Sequence, residues 1–175
     1  MGAKFSIFLV ISASAIEVGP ATHCGERFFL VRNGRVRLTE GNANYDLEPG
    51  GFAFVPAGQD HGINAGAGVE LVVMERPHIA RPAGSPEGYV SSIDDAPHTT
   101  MKRDERLMVQ KLLPQNFAFD MEINVLDFAP GIGVESAVVA TCTYFMPRLA
   151  KSRIWSAEPL SSAHARVLLL TLTIN

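Results

Sequence analysis

The 175-residue sequence has little cysteine, a single tryptophan, no long apolar run and no excess of positive charge. Cys24 and Cys142 could pair, but two cysteines so far apart make no disulfide framework, and two free thiols are the simpler reading. No stretch approaches the roughly 20 apolar residues of a membrane-spanning helix. A net charge of −3 gives no electrostatic reason to expect nucleic acid as a partner. The spacings of a nucleophile elbow, a phosphate-binding loop and a zinc ribbon are missing as well. The absences are uneven. Residues 136–175 contain no Gly and no Asp, and Glu158 is their one carboxylate, yet they carry Arg148, Lys151, Arg153 and Arg166. All fifteen Gly lie earlier, so composition breaks near Glu135.

What is present is a folded chain, 47% hydrophobic and 19% charged, with eleven Pro and fifteen Gly between short apolar runs. Strands separated by turns every eight to twelve residues, without a βαβ rhythm, predict an all-β barrel or sandwich. Phe28–Val31 reads as a buried strand, Asn33-Gly34 as a hairpin turn, and Val36 and Leu38 as the inner face of a return strand. Gly41-Asn42 turns again, and Val69–Met74 reads as another buried strand. Residues 1–15 have two readings. Lys4, the apolar run Phe5–Ile11 and Ala13-Ser14-Ala15 imitate a short secretory signal, while the same residues alternate as a strand. Met1-Gly2 with Ser6 matches the myristoylation pattern only weakly, and Gly2 reads more simply as the residue before a strand.

The best-defined stretch runs from Leu47 to His61. Pro49-Gly50 marks a turn, Phe52–Val55 a strand buried on both faces, and Pro56-Ala57-Gly58 a second turn that delivers His61 to the start of the next strand. The pattern Gly50-x5-Pro56-x-Gly58-x2-His61 resembles the second signature of the cupin superfamily, with that signature's final Asn displaced to Asn64. The resemblance implies a jelly-roll β-barrel that commonly holds a divalent metal on three His and one Glu. The first cupin signature, His-x-His-x3-Glu-x6-Gly, places its turn glycine at Gly34. Counting back, the Glu position is Arg27, the second His is His23 and the first is Ala21. Two of four ligands are lost and a cation replaces the anion. No tight metal is therefore expected, with His23, Glu26 and His61 as weak candidates. Glu26 is one residue out of phase and faces the wrong way unless a bulge near Gly25 restores it. His61, His23, Arg27 and Glu26 remain candidates for a substrate pocket, and Glu17 and Arg35 could line it too. His61 equally reads as a turn-capping residue and His23 as a loop residue. His78, His98 and His164 lack partners at metal spacing and read as exposed.

A closer resemblance covers residues 2 to about 131. Gly2-Ala3-x-Phe5, Glu26-Arg27-Phe28-x2-Val31-x2-Gly34, Pro56 to His61, Lys111-Leu112-Leu113-Pro114 and Phe119-Asp120-Met121-x-Ile123-x3-Asp127-Phe128-x-Pro130-Gly131 are similar to (S)-ureidoglycine aminohydrolase. The resemblance implies a bicupin, a manganese-dependent hydrolase acting on C–N bonds that converts ureidoglycine to ureidoglycolate and ammonia in allantoin and purine degradation. It also implies a largely structural first barrel, with Mn²⁺ held in the second by a Glu-x-His-x3-His cluster after the Pro-Gly turn and a Gln further on. Here Glu135 is followed by Ala137 where the His belongs, and no His appears before His164. The expected organisation is a first cupin over 1–76, a connector over 77–110, the opening strand of a truncated second cupin over 111–135 and a divergent tail over 136–175. Within the tail, strands at 144–146 and 167–172 or a helix over 163–170 are both admissible. The expected outcome is a chain inactive alone, or a non-catalytic scaffold that binds a small ligand or partner chain. Exposed strand edges make a homo-oligomer possible. Plant members of the resembled family sit in the endomembrane system or nearby organelles, and only residues 1–15 bear on compartment.

Overall fold

A computed structural model describes residues 5–21, 25–79, 82–101, 104–116, 118–119, 121–129 and 165–172. The chain divides into two compact units, Met1–Asp95 with Asn116–Phe119, and Ala96–Gln115 with Asp120–Asn175. Among the described residues there is no α-helix, and one 3-10 turn occurs at Ile93–Asp95.

The first unit holds nine strands: β1 Ser6–Ser12, β2 Ile16–Val18, β3 Gly25–Asn33, β4 Val36–Glu40, β5 Ala43–Leu47, β6 Gly51–Val55, β7 His61–Ala65, β8 Val69–Pro77 and β9 Tyr89–Ser92. They form two antiparallel sheets, β1-β8-β3-β6-β9 and β2-β7-β4-β5. Phe29, Val31, Ala53, Val55, Leu71 and Val73 of the first pack with Val36, Leu38, Leu47, Ile63 and Ala65 of the second in one apolar core. This is the jelly-roll sandwich that the turn spacing and the signature predict. The alternate residues of the larger sheet are buried as well. Phe28 meets Phe52 at 5.6 Å between ring centroids, and Phe54 meets Phe119 edge-on at 5.0 Å.

The turns show how the sequence enforces this topology. The Gly51 amide donates to the Glu48 carbonyl, with Pro49 at the second position and Gly50 at φ +93° in the third, as a type II turn requires. Asn33-Gly34, in contrast, closes no hairpin. β3 and β4 lie in different sheets, and Gly34 is where the chain crosses between them. Its φ is +80°, and a Cβ there would sit 3.1 Å from the Val69 Cα, so the crossover needs both the left-handed backbone and the missing side chain. A two-residue hairpin lies instead at Gly41-Asn42, where Glu40 pairs with Ala43.

The second unit contains β10 His98–Met101, β11 Asp104–Lys111, β12 Met121–Phe128 and β13 Ala165–Leu172, in the order β10-β11-β12-β13. Residues 165–172 are therefore a strand, paired along its length with β12 from Met121↔Leu172 to Phe128↔Ala165. The proline-rich stretch read as a connector carries β9, β10 and most of β11.

Candidate functional site

Strand parity decides which side chains enter the sandwich. On β3, Phe29 and Val31 point inward, so Arg27 does too. On β8, β7 and β4 the same count brings Glu75 into line with Val73, His61 with Ile63, and Glu40 with Leu38. The register sets Arg27 opposite Glu75 and Glu40 opposite His61. One end of the core thus finishes in a polar layer of four residues.

Within it Arg27 makes four hydrogen-bond contacts. Its Nε donates to Glu75 Oε1 at 2.8 Å, and its Nη2 donates to the same oxygen. Nη1 donates to the Gly19 carbonyl at 2.6 Å and lies 2.9 Å from His61 Nε2. The other imidazole nitrogen, Nδ1, is 2.9 Å from the Gln59 carbonyl. A carbonyl only accepts and a guanidinium only donates, so these partners fix the tautomer. Nδ1 carries the proton, and the Nε2 lone pair accepts from Arg27. His61 thus both caps its turn and faces the barrel end. Burial pushes its pKa below the ordinary imidazole value; the Gln59 bond opposes that shift, and the Arg27 charge adds to it. Glu40 behaves oppositely. Burial raises its pKa, and its Oε1 is buried with no hydrogen-bond partner among the described residues. A Cβ on Gly88 would lie 3.6 Å from that oxygen.

Glu26 belongs elsewhere. It lies on the other face of β3, fully buried, with Arg76 Nε 3.5 Å from Oε1 and His78 Nδ1 3.2 Å from Oε2. The bulge that would have turned it inward is absent: β3 pairs in regular register from Gly25↔Pro77, and its irregularity falls between Val31 and Asn33. His78 is therefore not an exposed histidine, since the buried carboxylate holds it at 16% side-chain exposure. His98 is exposed. His23, Glu135, Ala137 and His164 lie outside the described residues. Glu17 and Arg35 do not join Arg27. They border an open groove of about 870 Å³ with Asp46, Glu48 and Asn64, at the end of β7 away from His61. Four of its charges pair with one another, Arg35 with Glu48 at 2.9 Å and Arg37 with Asp46 at 2.7 Å. The Arg37 bond holds the Asp46 carboxyl below its usual range. Glu40 and Glu75 escape a motif search because neither signature includes them. Counting by twos from Leu38 and Val73 would have found both.

A divalent metal does not fit this layer. Among the described residues the one inward histidine, His61, spends its free lone pair on Arg27, and the guanidinium puts a fixed positive charge where a cation would sit. Among the described residues no three His, Cys, Asp or Glu side chains converge as a metal site would need.

With this geometry in hand, the family model for the cupin domain matches residues 8–75. The match and the two-sheet sandwich together give this stretch the cupin fold. The cupin's curated relatives include a probable (S)-ureidoglycine aminohydrolase of rice (Oryza sativa subsp. japonica), 27% identical over 132 residues, covering 75% of this chain and 42% of that protein. The (S)-ureidoglycine aminohydrolase of Arabidopsis thaliana is 28% identical over 131 residues, covering 74% and 44%. The chain is similar to these ureidoglycine aminohydrolases and spans less than half the length of the relatives it matches. Among solved structures, a glyoxylate-induced protein from Pseudomonas aeruginosa superposes with a TM-score of 0.70 at 18% identity, covering 97% of this chain and 66% of the other. A cupin 2 conserved barrel domain protein from Leptotrichia buccalis gives 0.61 at 12% identity, with coverages of 98% and 85%. Bacillus subtilis oxalate decarboxylase, which has Mn(II) centres, gives 0.53 at 12% identity, with coverages of 73% and 50%. At these identities the structural likeness shows the fold.

Proposed function

We propose that residues 8–75 serve as a metal-free structural cupin within a protein of the ureidoglycine aminohydrolase kind, and that this barrel performs no turnover. One contact carries the reading: Arg27 Nη1 against His61 Nε2 at 2.9 Å, which puts an internal cation on the nitrogen that the signature histidine would otherwise offer to a metal. Two sequence observations support it. Ala137 stands where the second-barrel cluster needs a His, and Arg27 stands at the position of the first-barrel Glu. In this reading residues 1–76 are the first cupin, 77–110 a connector, 111–135 the opening of a second cupin and 136–175 a divergent tail. The ureide and manganese implied by the family are the substrate and metal to test, because the rice and Arabidopsis proteins are named for ureidoglycine. A second role, binding a small hydrogen-bond donor at the barrel end, is favoured by the buried Oε1 of Glu40, which has no partner among the described residues.

The test is metal analysis of the purified chain after incubation with Mn²⁺, together with ammonia release from ureidoglycine. Neither bound manganese nor ammonia is the expected result. Stoichiometric manganese accompanied by ammonia release would overturn the proposal.

A further inference from the structure

The edges of the two sheets in the first unit are protected unequally. β2 is three residues long and centred on Glu17. β5 carries Asp46 and Asn44, and β9 is a four-residue strand ending Ser91-Ser92. Short length, charge and polarity are the usual defences of an unpaired edge. β1 has none of them. It is seven residues long and uncharged, and among the described residues it is paired on one side only, with β8. Phe8, Leu9 and Ile11 are 47%, 43% and 66% exposed.

The order of residues on β1 says what fits against it. About Leu9 the strand reads the same both ways by type: Ser6 and Ser12, Ile7 and Ile11, Phe8 and Val10. A two-fold axis requires that if residue i faces j, then j faces i. An antiparallel partner related by such an axis through Leu9 would meet every position with its own kind. Leu9 would face Leu9 and Ile7 would face Ile11 on one side of the sheet, with Phe8 facing Val10 on the other. Moving the axis to Phe8 sets Ser6 against Val10, and moving it to Val10 sets Phe8 against Ser12. Only the Leu9 register matches apolar to apolar and serine to serine along the whole strand, with no charge left to desolvate. We propose that two copies of this chain associate through β1 in this register, joining their five-stranded sheets edge to edge.

The experiment measures the mass of the full chain by sedimentation at micromolar concentrations. The unmodified chain is expected to run as two copies, and Leu9→Lys and Leu9→Glu each as one, because each sets like charges face to face on the axis. An equal mixture of the two variants, whose charges then oppose, should return to two copies. A second test works in a Cys24→Ser, Cys142→Ser background. There Leu9→Cys should cross-link to its mate on mild oxidation, since antiparallel neighbours bring Cα atoms to about 4.5–5.5 Å, within disulfide range. Ser6→Cys alone should not, because it faces Ser12. A one-copy mass for the unmodified chain, a two-copy mass that survives both charge variants, a mixture that stays monomeric, or equal cross-linking at the two positions would each overturn the proposal.

Discussion

Replacing Arg27 with Met tests the polar end of the barrel most directly. Methionine approximates the length of the arginine stem, so the change removes charge and donors while leaving packing nearly intact. It strips Glu75 of its ion-pair partner and leaves the Gly19 carbonyl and His61 Nε2 without a donor. Breaking a buried pair from one side costs about 3–5 kcal/mol. Arg27 is 4% exposed, but Glu75 reaches water at 16%, which places the expected loss near the lower bound, about 3 kcal/mol. With a urea m-value of about 2 kcal/mol/M, the midpoint should fall by roughly 1.5 M. Arg27→Met with Glu75→Leu removes the stranded carboxylate, so the double variant should recover about 2 kcal/mol of the loss. Urea unfolding of the four proteins closes the cycle. A loss below about 1 kcal/mol for Arg27→Met, or strict additivity, would mean that the cluster behaves as a surface ion pair, and the reasoning fails.

His61 has a depressed folded-state pKa, so the unfolded chain takes up its proton first as pH falls. The stability it contributes is complete above the ordinary imidazole pKa of about 6.5 and is lost as pH drops from there toward the folded value. His61→Gln, which keeps an acceptor for Arg27 but does not titrate, should flatten unfolding midpoints over that window. An unchanged pH profile would refute the assignment of tautomer and partner. Glu40 has a raised pKa, so its stability contribution is present below the ordinary carboxyl value and declines as pH rises through the folded one. Glu40→Gln should therefore raise the urea midpoint at pH 7 and lose that advantage at pH 4; a midpoint that falls at pH 7 would show the carboxylate to be satisfied. Gly34→Ala should cost more than Gly58→Ala. Both have φ +80°, worth about 1–2 kcal/mol for an L residue, but only the Gly34 Cβ meets backbone, at 3.1 Å. Equal losses in thermal or urea melts would remove the steric part of that argument.

Short apolar runs bounded by turn residues carried most of the fold. The runs around Phe28, Phe52, Val69 and Met121 became β3, β6, β8 and β12, three of them too continuously apolar to alternate and therefore buried on both faces. Pairing was less legible. Asn33-Gly34 has the composition of a tight hairpin, yet left-handed φ serves a crossover equally well, and what distinguishes the two is the approach of Val69, 35 residues away. Residues 77–111 show the same limit. A Pro-rich composition has little to bury by itself; β9 forms there against β6, β11 against β12, and β10 against β11.

The candidate site divides along similar lines. Its two signature positions, Arg27 and His61, were found by counting spacings, and the structure brings them to 2.9 Å. Glu26 shows that adjacency in sequence is not adjacency in space: one residue of phase places it across the sheet, where Arg76 and His78 surround it. The deeper point concerns charge. A cupin metal site concentrates neutral imidazoles and a carboxylate around a cation, and this barrel end keeps that sign arrangement with the cation built in. Glu75 takes the anionic role, His61 is held neutral by its two partners, and Arg27 supplies the positive charge from the position where the signature has its carboxylate. Because the guanidinium is tethered to the chain and bound to Glu75, Gly19 and His61, it can hold the layer together but cannot exchange a ligand. Such a layer agrees with the scaffold proposed above, and Glu40 Oε1, unpartnered among the described residues, is where this end of the barrel could still take a hydrogen bond from outside.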